Sequence, residues 1–200
     1  LMGILLRFRQ GPVAINADVT DHFSQIAVPP RQQPFLAFLW APTAETTPEV
    51  YVNTRHVFGV SCSPAIAVYA LTRSAEESPD LSAVIAKSFY MDDFYYSGPS
   101  TADVLEVAGR VAAILSKRHF NLTKWMSNTT AVVQTWPVAE RANALKLFGQ
   151  EIEAPLPTVK ALGVAWDCTD DSFTFHCRNL HLPVTTVVKV LSVLASVFDP

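Results

Sequence analysis

Two adjacent aspartates, Asp92 and Asp93, stand in the stretch KSFYMDDFYYSGP (87–99), walled by Tyr90, Met91, Phe94, Tyr95 and Tyr96. Successive side chains of a strand point to opposite faces, so two neighbouring acids in an extended run cannot share one wet face. A carboxylate buried without a partner is costly unless a cation compensates it. The stretch therefore reads as two short strands over 86–98 with the acids at the bend, facing either water or a metal ion. A second pair, Asp170-Asp171 in DCTDDSFTF, lies beside Thr and Ser, and a solvated hairpin turn accounts for it.

The rest of the chain supplies partners for that bend. PVAINAD (12–18) predicts a strand ending at Asp18, and PFLAFLW (34–40) and EVYVNTRHVF (49–58) predict two more. SPAIAVYALTRSA (63–75) predicts a helix with Ser63 as N-cap and Pro64 at its first position. STADVLEVAGRVAAILSKRHF is the clearest helix. Ser100 and Asp103 form a capping box, and Val104, Ala108, Val111 and Leu115 form the apolar stripe. Shorter pieces follow: a strand near 131–136, a hairpin over 162–177 and a helix from about Thr185. The order suggests an α+β fold, a split β-α-β-β-α-β antiparallel sheet with helices on one face, plus a C-terminal hairpin and helix. In such a unit the strand ending at Asp18 lies beside the Asp92 hairpin, and Asp18, Asp92 and Asp93 converge. Grouped hard oxygen ligands suit Mg²⁺, which takes its remaining ligands from water and substrate phosphates.

Composition excludes several classes. Hydrophobic residues make up 50% of the 200 and charged residues 16%, which is the balance of a folded globular chain and not of a disordered one. A net charge of −3 argues against bulk nucleic-acid coating, although Lys117, Arg118 and Lys124 form a local basic cluster. The three cysteines, Cys62, Cys168 and Cys177, are odd in number and form no CxxC pair, which fits a reducing, intracellular setting. Cys168, His176, Cys177 and His181 match no familiar zinc spacing. No signal peptide or membrane-length apolar run is present. The chain opens on Leu1 and stops at VFDP, and so reads as a piece of a longer polypeptide.

With these residues laid out, the chain resembles the reverse transcriptases through five motifs in order: NADVTDHF, FGVSCSPAIA, FYMDDF, ILSKRHFNLTKW and ALGVAWD. LLRFR, FLW, LTKWMSN and the closing VLSVLASVFDP resemble the Pao/BEL class of long-terminal-repeat retrotransposons. The resemblance implies a polymerase palm over 1–125. It implies a primer-grip hairpin and the start of a thumb or connection over 126–200, with fingers preceding residue 1. It implies RNA-directed DNA synthesis with two Mg²⁺ ions (or Mn²⁺) at Asp18, Asp92 and Asp93, Asp93 being the helper. Lys124 would donate a proton to pyrophosphate. Phe23 would lie against the sugar, and the free N–H groups after Asp18, beginning at Val19, would contact the triphosphate. Phe58 and Gly59 would border the templating base pair, and Leu162 and Gly163 would grip the primer. The partners implied are an RNA or DNA template, a primer and deoxynucleoside triphosphates, with protease, RNase H and integrase regions in the parent chain and a cytoplasmic virus-like particle as its setting. The departures are Lys117-Arg118-His119 for a small or glycine pair, Thr185-Thr186-Val187 for Thr-Lys-Arg, and Asp21 and His22 for Lys and Met. They leave open an inactive, palm-like remnant that binds nucleic acid or protein.

Overall fold

The computed structural model describes residues 1–146, 152 and 155–174. In chain order it contains α1 (Met2–Phe8), β1 (Val13–Val19), α2 (His22–Gln25), β2 (Ala37–Trp40), β3 (Glu49–Val52), α3 (Ser63–Ser74) and α4 (Pro79–Ser88). These are followed by β4 (Phe89–Tyr90), β5 (Asp93–Gly98), α5 (Thr101–Ser116), β6 (Leu122–Ser127), α6 (Thr130–Gln134), α7 (Asn143–Lys146), β7 (Thr158–Ala161), β8 (Val164–Asp167) and β9 (Ser172–Thr174). The fold is mixed α and β with antiparallel sheets. One sheet has the order β4-β5-β1-β6, a second is the β2-β3 hairpin, and a third is β7-β8-β9. β1, which carries Asp18, therefore neighbours β5, which begins one residue after Asp92.

The chain divides into two compact units. The first comprises Leu1–Ala17, Tyr95–Ala108 and the chain from Thr123 onward. Its core forms around Phe8, whose ring meets Tyr95 at 5.2 Å and the fully buried Trp166 at 4.8 Å, both edge-on. Arg9 closes the rim with a bidentate pair to Asp171, which also accepts the Trp166 indole N–H at 3.0 Å. Asp171 is thus a buttress, and only Asp170 fits the solvated-turn reading, its N–H bonding the Asp167 carboxylate at 3.1 Å.

Close backbone approach fixes a glycine in the same unit. A Cβ built on Gly11 would lie 2.5 Å from the Gly98 carbonyl oxygen and 2.6 Å from its nitrogen, and backbone cannot yield as a side-chain tip can. Gly11→Ala is expected to cost about 3 kcal/mol in chemical denaturation. Gly109→Ala, on helix α5 with nothing within 4 Å of the added carbon, is expected to gain about 0.5–1 kcal/mol. Equal effects would contradict this contrast.

The second unit comprises Asp18–Phe94 and Gly109–Leu122. Leu71, Leu81, Ile85, Val111 and Leu115 pack its helical core at 5% exposure or less. α4 has no counterpart in the sequence reading, and it displaces the strand expected from residue 86, leaving β4 only Phe89 and Tyr90. Its signals were present: Ser78 before Pro79 and Asp80, then Leu81 and Ile85 one turn apart. The expected strand over 34–40 is a 3₁₀ segment to Leu36 before β2, because Pro30 and Pro34 remove ladder donors. The strand over 49–58 is likewise shortened to Glu49–Val52. All eight residues of β2 and β3 are exposed.

Two further expectations are corrected. Ser63 is the first helical residue and Cys62 the N-cap; the Ser63 hydroxyl donates to the Val57 carbonyl at 2.8 Å instead of capping. Residues 130–134 are helix α6 and not a strand. The Asn128 side chain bonds both the Ala14 N–H and the Pro12 carbonyl at 2.9 Å, which ends β6 pairing and turns the chain before its β-branched run. Ser100 caps α5 as expected, its hydroxyl oxygen accepting the Asp103 N–H at 3.2 Å, but the hydroxyl and not the Ser100 N–H donates to the Asp103 carboxylate, so the box is half formed; all four stripe residues of α5 are fully buried. The helix expected from Thr185 lies outside the described residues, as do His176, Cys177 and His181.

Candidate active site

Strand β1 brings Asp18 to the site. Ala17 and Val19 are buried on one face, so Asp18 occupies the other, half-buried. The Asp92 turn arises from the pairing of Tyr90 with Asp93, which leaves Met91 and Asp92 as a two-residue loop. Met91 takes the first loop position with φ +55°, a left-handed conformation that tight hairpins favour and that a non-glycine residue adopts at a cost. The loop is tied to β1 directly, because the Val19 N–H donates to the Asp92 carbonyl at 2.8 Å. The strand-end aspartate and the loop aspartate are therefore backbone neighbours.

That bond also corrects an expectation. The N–H groups of Val19 and Thr20 are engaged, by Asp92 and by the Asn121 carbonyl at 3.0 Å, so neither is a free donor for a triphosphate. Among the described residues no three His, Cys, Asp or Glu stand together as a ready-made metal cage. Asp18, Asp92 and Asp93 are each half-buried, and Asp93 opens β5 opposite Tyr90.

Phe23 and Phe58 meet at 4.4 Å between ring centroids, Phe23 being buried and Phe58 exposed. Gly59 follows at φ +86°, a conformation that favours glycine. Asp18, Val19, Phe23, Phe58, Gly59, Asp92 and Asp93 all belong to the second unit. Lys124, Leu162 and Gly163 belong to the first. Lys124 is exposed on β6 with φ +57°. Leu162 and Gly163, both at positive φ, form the two-residue turn of the β7–β8 hairpin.

Sequence reasoning noted His22 only as a departure and missed its neighbour His56. His22 is 2% exposed, edge-on to Phe120 at 5.2 Å, and neither ring nitrogen makes a hydrogen bond. Burial holds its pKa down at about 4. The Ala67 backbone, short of hydrogen-bond geometry, and the Asp18 carboxylate oppose that fall, and His56 adds to it. An unfolded His titrates near ~6.5. Between the two values the unfolded chain binds the proton and the folded chain does not, so stability falls as pH drops through that window. His22→Phe is expected to remove on the order of 2 kcal/mol of that loss between pH 7 and 4.5, read as the shift in urea midpoint. An unchanged pH slope would contradict it.

Two solved structures of a foamy viral protease–reverse transcriptase are similar in fold to the chain across 98% of it. The complex with double-stranded DNA has a TM-score of 0.61 at 20% identity, with 34% of that chain covered. The complex with an RNA/DNA hybrid has a TM-score of 0.60 at 19% identity, with 22% of that chain covered. The chain thus spans between about a fifth and a third of those proteins. No protein-family profile and no curated protein sequence matches it. Its fold is similar to that of part of a foamy viral protease–reverse transcriptase.

Proposed function

We propose that the chain carries the palm of an RNA-directed DNA polymerase from a Pao/BEL-type long-terminal-repeat retrotransposon. Its fingers would precede residue 1, and its thumb or connection would begin after the palm. The observation that carries the reading is the Val19–Asp92 backbone bond, which makes neighbours of the two acids that the motif order singles out. The fold likeness and the strand order β4-β5-β1-β6 support it. So does the binding of double-stranded DNA and of an RNA/DNA hybrid by the foamy viral enzyme.

Mg²⁺ is the cation this reading calls for. With no three-ligand cage among the described residues, an ion here would take carboxylates from Asp18 and Asp92 and complete its sphere from water and phosphate, as Mg²⁺ does. When bound, the metal supplies charge neutralisation at the triphosphate and acidifies the primer hydroxyl. In the reaction the primer 3′-oxygen bonds to the α-phosphorus as the α–β phosphoanhydride breaks, and pyrophosphate leaves. Asp18 and Asp92 hold the reacting groups in line, and Asp93 orients them from behind. Phe23, fixed by Phe58, lies against the incoming sugar. Phe58 and Gly59 border the template base, and the turn at Leu162 and Gly163 presses on the primer. Lys124 gives its proton to the departing pyrophosphate.

The test is binding and synthesis measured together on an RNA template with a DNA primer, using the chain joined to its upstream fingers. Salt-dependent hybrid binding with Mg²⁺-dependent extension is expected. Binding with no extension would overturn the enzyme reading in favour of a binding remnant.

A further inference from the structure

Three rings neighbour Phe23 in the second unit, and they are held differently. Phe58 is the nearest at 4.4 Å between centroids, but it is 73% exposed, with solvent over most of its surface. His22, at 5.6 Å, directly precedes Phe23 on α2 and moves with it. His56, at 5.9 Å and 37° between ring planes, is buried and comes from a separate segment. That segment is anchored on both sides of the imidazole. The His56 N–H donates to the Ile26 carbonyl and the Val28 N–H to the Thr54 carbonyl, both at 2.9 Å, which laces residues 54–56 to the chain leaving α2. The Ser63 hydroxyl donates to the Val57 carbonyl at 2.8 Å and ties the next residue to the start of α3. His56 Nε2 is buried with no hydrogen-bond partner, so what this end of the imidazole offers its neighbours is ring surface.

We propose that His56 is a positioning residue whose ring limits how far Phe23 can yield, and so sets the discrimination between deoxyribose and ribose in the incoming nucleotide. This rests on the reading that Phe23 lies against the sugar. Rejection by a clash works only while the wall that makes the clash stays in place. A close-packed interior holds such a wall, and removing one of its rings leaves a void into which the neighbour tilts.

The test is single-nucleotide addition with a deoxynucleotide and with the matching ribonucleotide, using the chain joined to the fingers proposed to precede it. In kcat/KM, His56→Ala is expected to raise ribonucleotide addition about threefold and lower deoxynucleotide addition about threefold, so that discrimination falls about tenfold. His56→Phe, which keeps a ring, is expected to hold the discrimination within about twofold. General damage to the fold lowers both nucleotides together; that result, or an unchanged ratio in His56→Ala, overturns the proposal. An equal loss in His56→Phe overturns it as well. His56→Leu, with an expected loss of about threefold, gives the answer if the alanine variant fails to fold. Phe23→Ala is measured alongside, with an expected loss of discrimination of about a hundredfold. An unchanged ratio there would locate the failure in the reading of Phe23, and no synthesis by the unaltered chain would locate it in the polymerase reading; either takes the proposal with it.

Discussion

Asp92→Asn is expected to lower primer extension at least about a thousandfold while leaving the thermal midpoint within about 2 °C. The separation of the two effects follows from what Asp92 contributes to the fold. Its backbone carbonyl accepts the Val19 N–H at 2.8 Å, and asparagine keeps that carbonyl. The side chain is half-buried at the loop tip, so its charge is available to a cation and is not needed by the core. Asparagine keeps the shape and removes one ligand charge, the property on which binding of a hard divalent ion depends. Asp93→Asn is expected to cost only about 10- to 100-fold, as a group acting through its neighbour. Single-nucleotide extension with Mg²⁺, alongside thermal melts, separates these outcomes. Equal losses at both positions would remove the asymmetry between the two acids.

Trp166→Ala is expected to destabilise the first unit by about 3–5 kcal/mol in guanidinium denaturation. The indole is fully buried, packs edge-on against Phe8 at 4.8 Å and donates to Asp171 at 3.0 Å. Truncation leaves a cavity too large for the neighbouring rings to fill. It also strips one donor from an aspartate that then depends on Arg9 alone. Trp166→Phe keeps most of the apolar volume and is expected to lose about 1–2 kcal/mol. A loss below about 1 kcal/mol for the alanine variant would show that this core repacks freely.

The local features were legible because their signals are local. Helix α5 announced itself through a capping box and a stripe at helical spacing, and the Asp92 bend through two acids that a flat strand could not accommodate. β1 ended near its aspartate because alternation and sequence agreed. Features that depend on distant partners were not legible. Gly11 reads as an ordinary turn glycine until Gly98 lies against it, and Asp171 reads as solvated until Arg9, 162 residues away, reaches it. β-branched residues misled at 130–134, where Asn128 had already ended the sheet. α4 was less legible because its last turn runs straight into β4, and a short apolar run does not distinguish helix from strand by periodicity alone. At the site, the order of the acids was readable. The bonding of the Val19 and Thr20 N–H groups was not, since it is set by which strands pair.

The central claim is that Asp18 and Asp92 serve templated DNA synthesis. The most direct measurement supplies the chain, joined to the fingers proposed to precede it, with an RNA template, a DNA primer, Mg²⁺ and one deoxynucleotide at a time. The expected result is addition of the single nucleotide complementary to the next template base, abolished by chelation and by Asp18→Asn or Asp92→Asn. Addition that ignores the template, or that persists unchanged in either variant, would contradict the account.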